Sequence, residues 1–213
     1  MVHYRSKLGL AFLFAVAMAV VEAAVVVYLR AMYYPEGFEV ILVALSQQHV
    51  AVEIGREFAT IVMLVCVAGI LGRERWERFG WFIFLFGIWD IFYYVWLKVM
   101  IDWPIRWTDW DILFLIPAPW VGPVIAPILV SLVMVGVGIA ITRLYRRQLR
   151  FRTIPITWGL ALAATAIILY AFLRDADRVT TGIAPESYWY GLLVIGLLLY
   201  LLAFWLSYRR TAR

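Results

Sequence analysis

An all-α bundle of about six transmembrane helices is the fold this sequence predicts, and three observations predict it. The 213 residues are 65% hydrophobic and only 15% charged, with a mean hydropathy of +0.89. A water-soluble domain carries about 25% charged residues and 45–50% apolar ones, so disorder, a coiled coil and an ordinary soluble enzyme are excluded. Six separate stretches reach the roughly 20 apolar residues that a spanning helix needs. The basic residues between those stretches gather in alternate connections, the pattern expected of a polytopic membrane chain.

The spans fall at 8–29, 50–71, 80–99, 121–142, 154–173 and 188–207, within one transmembrane domain covering 1–213. Arg5 and Lys7 precede the first span, and Arg73, Arg75 and Arg78 separate the second from the third. Arg143, Arg146, Arg147, Arg150 and Arg152 separate the fourth from the fifth, and Arg209, Arg210 and Arg213 follow the sixth. These segments hold thirteen of the nineteen Lys and Arg residues, with Glu74 and Glu77 as their only acids. The other connections carry eight acids against five bases. Lys and Arg concentrate on the cytoplasmic side. Both termini are therefore expected in the cytoplasm, and the chain in the cytoplasmic (inner) membrane of a bacterium or archaeon. The formal charge of +5 is an orientation signal on this reading, and no nucleic-acid partner is expected.

The first span has a competing interpretation, because basic residues followed by Ala17-Met18-Ala19 also fit a cleavable signal peptide. Its apolar run continues to Leu29, long enough to span uncleaved. Ala11, Ala15, Ala19 and Ala23 form a small-residue ridge beside Glu22, which permits close helix approach. The loop at 31–49 contains an apolar run at 40–45, too short to span, and is expected on the membrane surface.

In the second span His49, Glu53 and Glu57 recur every fourth residue, with Arg56 three beyond Glu53. On a helix these share one polar face. Cys66 sits in an apolar run and is expected to pack inside; as the lone cysteine it excludes intrachain disulfides and thiolate clusters. The third span repeats the four-residue step with Asp90, Tyr94 and Lys98, flanked by Tyr93.

Before the fourth span the pattern breaks. The apolar run 112–116 is short, and Pro117, Pro119, Pro123 and Pro127 follow it. Proline lacks the backbone N–H and disfavours helix in the preceding residue. A short interfacial or re-entrant piece is expected, broken at 117–119, with a new helix from about Val121; the alternative is a proline-rich helix start at the interface. The fifth and sixth spans carry no charged residue between Thr157 and Leu173 or between Tyr190 and Ser207. Such a face suits docking to a second copy or to a larger membrane complex. Trp103, Trp107, Trp110, Trp120 and Trp189 fall near one boundary, and Trp76, Trp81, Trp158 and Trp205 near the other, as an aromatic belt.

The chemistry should lie with the charges inside spans: Glu22, Glu53, Arg56, Glu57 and Asp90, all in the first three. A charge at a helix centre costs about 2.5–3.5 kcal/mol on insertion scales, so it should face the bundle interior and be paired. Axial rise places Glu22 about 12 Å from Arg30, Glu57 about 10 Å past Val50 and Asp90 about 12 Å before Lys98. An outward-opening cluster of Glu22, Glu53, Arg56, Glu57, Asp90, Tyr94 and Lys98 follows, suited to binding or passing a proton or small cation. His49, Glu53, Glu57 and Asp90 are the candidate ligands for a divalent metal ion, although Arg56 and Lys98 oppose a cation nearby.

His3 and His49 are the only histidines and fall on opposite sides, which excludes bis-His haem within this chain, and no iron–sulfur cluster is expected. The Glu-x-x-His pair of di-iron bundles is absent, as are the common hydrolase, metalloprotease and phosphate-loop signatures. The acids of the first half have no counterparts in the second, which argues against an inverted-repeat transporter. Three alternatives accompany the cation reading. One is a metal-dependent or acid–base enzyme with Glu53 or Glu57 as base and Arg56 as anion anchor. Another is a non-catalytic subunit of a membrane complex. The third is a neutral network in which Arg56 pairs Glu22, Glu57 or Asp90 and holds the bundle together.

Overall fold

The structure is a computed structural model and describes residues 4–38, 40 and 46–212. His3, Glu39, Arg213 and the 41–45 portion of the expected surface loop lie outside the described residues. Six helices are long and apolar enough to cross a membrane. They comprise α1 (Tyr4–Tyr33), α2 (Gln47–Leu71), α3 (Arg75–Ile101), α4 (Ile125–Arg146), α5 (Pro155–Leu173) and α7 (Tyr190–Ala212), with the short α6 (Ala176–Thr180) extending the fifth span.

Local chemistry sets several of these ends. Ser46 caps α2, its hydroxyl accepting the His49 N–H at 3.2 Å, and Gly72 ends it with its N–H on the Ala68 carbonyl. Asp102 ends α3 in the left-handed region, φ 53°, while the Lys98 ammonium reaches its carboxylate at 2.7 Å. Pro155 opens α5, where its missing N–H costs nothing.

Helix α3 is the axis of the larger half, with α1, α2 and α4 packed around it. The alanine ridge of α1 is buried in that packing: Ala15, Ala19 and Ala23 have no exposed surface. The α3–α4 contact is tighter still. A Cβ on Gly87 would lie 2.6 Å from the Ser131 carbonyl oxygen, and one on Gly138 would lie 2.6 Å from that of Gly80. Only glycine allows backbones to approach so closely. The smaller half is α5 against α7, joined through a hydroxyl pair, Thr165 with Tyr200, at 2.6 Å.

Between α3 and α4 the chain forms a β-hairpin, which the all-helical expectation did not include. Strands β1 (Trp110–Phe114) and β2 (Trp120–Pro123) pair antiparallel, Trp110 opposite Pro123 and Phe114 opposite Trp120, with a register shift between Ile112 and Phe114. The expected helix start at Val121 is displaced to Ile125, because residues 120–123 belong to the ladder. Pro117 and Pro119 occupy the turn, where no ladder N–H is needed.

This hairpin folds back toward the middle of α3. The Phe114 ring stacks on Phe86 at 6.2 Å and contacts Trp89. Phe86 lies fifteen residues before Ile101, hence about 22 Å along the axis from the end of α3. On its other side Trp120 stacks on Phe172 of α5, so the hairpin is wedged between the two halves. Non-helical backbone at such depth survives only against protein or a watery cavity, and here side chains of α3 and α5 cover the hairpin on both sides.

Two expectations need correcting. Trp81 is not a boundary anchor; it is 1% exposed and packs on Tyr4 and Phe84, because the α3 face carrying it turns toward α1. Cys66 is exposed rather than packed, since the buried stripe of α2 runs through Glu53, Glu57, Thr60, Leu64 and Ala68. Its thiol faces the surroundings of the bundle.

Candidate functional site

The wedge of the hairpin leaves a cavity of about 130 Å³ among α1, α2, α3 and β1. Five carboxylates (Glu22, Glu53, Glu57, Asp90 and Asp111) and two guanidinium groups (Arg30 and Arg56) line it. A water needs about 10–15 Å³ of such space, so the cavity has room for several waters or a small ligand. The helical charges come from the hairpin-side halves of α1, α2 and α3, and Asp111 comes from β1 itself. The four-residue steps from Glu53 to Glu57 and from Asp90 to Tyr94 aim those side chains inward.

Arg56 stands between two carboxylates. It pairs with Glu22 across the α1–α2 interface, and it holds Glu53 one turn back at 2.6 Å. The Thr60 hydroxyl donates to the second Glu22 oxygen at 3.4 Å. Arg30 forms the second ionic unit. Its guanidinium donates to Asp111 Oδ1 at 3.0 Å and lies 3.8 Å from the ring centres of both Phe38 and Trp103. Both partners are nearly sealed from solvent, with side chains 8% and 3% exposed. Tyr93 also lines the cavity. The neighbouring Tyr94, 3% exposed, stands beside Asp111.

Two carboxylates have no ion pair among the described residues. Glu57 accepts the Leu115 N–H with both oxygens, at 2.9 and 3.0 Å. That bond satisfies a hairpin-tip amide which lipid-depth surroundings would otherwise leave orphaned. Asp90 accepts the Ser131 hydroxyl at 2.8 Å. Glu57 therefore holds the tip of the hairpin, and Asp90 holds α4 to α3.

The structure brings Glu22, Glu53, Arg56, Glu57, Asp90 and Tyr94 to one cavity, but not Lys98 or His49. Lys98 is half-exposed and turns to Asp102 and to the carbonyl of Pro104. It stabilises the end of α3 instead. His49 is exposed and pairs through Nδ1 with the Tyr33 hydroxyl. The expected metal set of His49, Glu53, Glu57 and Asp90 is not assembled: among the described residues no three His, Cys, Asp or Glu side chains are placed to hold a metal ion. Arg56 is also poorly placed as an anion anchor, because Glu22 and Glu53 already occupy it.

Arg30 and Asp111 were missed by sequence reasoning, which left them in the boundary connections. They are eighty-one residues apart, and neither has a helical partner at the usual spacing. One signal pointed to Asp111: an acid at the start of an apolar run too short to span is either exposed at the interface or carried inward with that run. Ser131 and the Leu115 amide left no sequence signal. The chain matches no family model, no curated protein and no solved structure.

Proposed function

We propose that this protein binds a proton or small cation in the cavity beneath the hairpin, from the membrane side on which the hairpin lies. One observation carries the reading: Glu57 and Asp90 face the cavity with hydrogen bonds but no ion pair, while the two guanidinium groups are engaged by three other carboxylates. Counted as ionised, five carboxylates exceed two guanidiniums by three. A buried site with excess negative charge favours protons or cations. Beyond the cavity the α1–α3 core is apolar and closed, with Leu64, Ala68 and Leu85 at most 2% exposed. This favours binding and occlusion over an open pore. Passage across the membrane would require a second conformation.

The charge asymmetry of the connections supports placing both termini in the cytoplasm of a bacterial or archaeal inner membrane. The cavity then opens outward. A second reading, a site for a small anionic molecule, has Arg30 in its favour: Nε and Nη1 have no hydrogen-bond partner, and the residue is 7% exposed. An enzyme acting on such an anion would use Arg30 rather than Arg56 as its anchor.

The test is thermal unfolding of the detergent-purified chain across a pH series and with added Na⁺, K⁺, Mg²⁺ or Mn²⁺. Wild type should be stabilised by one of these cations, or by protons, and the Glu57→Gln/Asp90→Asn variant should lose that dependence while remaining folded. A folded wild-type protein whose midpoint ignores every cation and the whole pH series would overturn the proposal.

A further inference from the structure

At the opposite, arginine-rich end a larger pocket of about 690 Å³ opens between the start of α1, the α2–α3 connection and the end of α4. Its rim carries Lys7, Arg73, Arg146 and Arg150 against Glu74 and Glu77. Both acids are engaged: Glu74 pairs with Arg150 at 3.2 Å, and Glu77 accepts the backbone N–H of Arg73 at 2.7 Å. Lys7 donates to the Leu71 carbonyl, which leaves its charge uncompensated. Arg73 and Arg146 are exposed, and among the described residues neither guanidinium makes an ion pair.

The interior of the pocket is aromatic. Tyr4 and Trp81 line it with ring centres 6.0 Å apart, and Tyr4 is fixed by a 3.0 Å hydrogen bond to Thr142. The buried Trp81 indole N–H has no hydrogen-bond partner in the protein. A basic rim over an aromatic floor, at the ends of spanning helices, is complementary to a charged headgroup attached to an apolar body.

We propose that this pocket binds a phosphate-bearing anion, supplied by an anionic phospholipid headgroup or by free phosphate. Arg73 and Arg146 are the ligating charges, and the aromatic floor receives the glycerol region if the source is lipid. The site is independent of the cavity under the hairpin and of the function proposed for it.

Native mass spectrometry of the full chain in detergent, after incubation with phosphatidylglycerol or phosphatidylcholine, tests this. Wild type should retain one phosphatidylglycerol and little phosphatidylcholine. Each of Arg73→Gln and Arg146→Gln should weaken retention about fivefold, the effect of one basic residue near an anionic lipid. The double variant Arg209→Gln/Arg210→Gln removes two charges at the same end, outside the pocket, and should leave retention unchanged; thermal unfolding checks each variant's fold. Competition by millimolar inorganic phosphate, lost in the Arg73 and Arg146 variants, identifies free phosphate as the occupant, and its absence identifies the lipid. Equal retention of the two lipids by wild type, or an equal loss in the Arg209/Arg210 variant, overturns the proposal.

Discussion

Helices α2 and α5 are both long and apolar enough to span a membrane, yet they build opposite kinds of interior. The α2 stripe that turns inward carries Glu53 and Glu57, and Arg56 reaches from the same turn to Glu22 of α1. The inward face of α5 carries Ala164, Ile168, Ala171 and Phe172, with Thr157 buried in its first turn. Among the described residues its side-chain hydrogen bonding to α7 is the hydroxyl pair of Thr165 and Tyr200. Where charges enter the bundle, helices converge on them and leave a polar cavity beside which a hairpin can insert. Where they are absent, two helices close on each other by shape. Apolarity admits a helix to the membrane; the few polar residues on it decide what its interior can hold.

If this contrast is right, stability should be most sensitive to the sealed ion pair. Asp111→Asn leaves Arg30 buried beside two aromatic rings without its counter-charge, and should cost about 3–5 kcal/mol, the usual penalty for breaking a buried pair. Thermal or denaturant unfolding in one detergent measures it, and a loss near zero would mean that water reaches Arg30 freely. Arg56→Gln should cost less, on the order of 2 kcal/mol, the scale of a hydrogen bond to a charged group, because Arg56 and Glu22 are 21% and 13% exposed. The same variant should bind cations more tightly, since a nearby positive charge is removed; titration in the folded variant checks that direction.

Packing alone should give a comparable or smaller effect. Gly87→Ala and Gly138→Ala each force a methyl group against backbone, an overpacking cost of about 1–3 kcal/mol, and neither should alter the cation dependence of unfolding. A change in that dependence would mean that the α3–α4 spacing shapes the cavity. Smallest of all, Tyr200→Phe removes the hydroxyl pair of the α5–α7 half. It should cost about 0.6 kcal/mol, the mean for such bonds between membrane helices, with no effect on the cavity. A loss as large as that of Asp111→Asn would erase the distinction between the two halves.

The residues that could be paired in advance were those a helix brings together by itself. Glu53 with Arg56, and the alanine ridge with its close neighbour, follow from steps of three and four residues. Lys98 follows the same step from Tyr94, yet it leaves the cluster, because it lies in the last turn of α3 and the Asp102 and Pro104 acceptors there are nearer than the cavity. His49 departs for the same reason at the first turn of α2, where Tyr33 takes it. Periodicity gives the direction of a side chain; its depth decides which partners compete for it.

Sequence by itself determined the six spans, the sorting of basic residues between the two ends and the break around Pro117, because each depends on local composition and on the cost of placing charge or free backbone in lipid. Only the tertiary structure decided that the broken segment is a hairpin returning to the depth of Phe86, that Arg30 meets Asp111, and that Glu57 holds the Leu115 amide. Those contacts join residues fifty-eight and eighty-one positions apart. Their geometry is set by how closely α1, α2 and α4 can approach α3, a property of packed surfaces that no single segment contains.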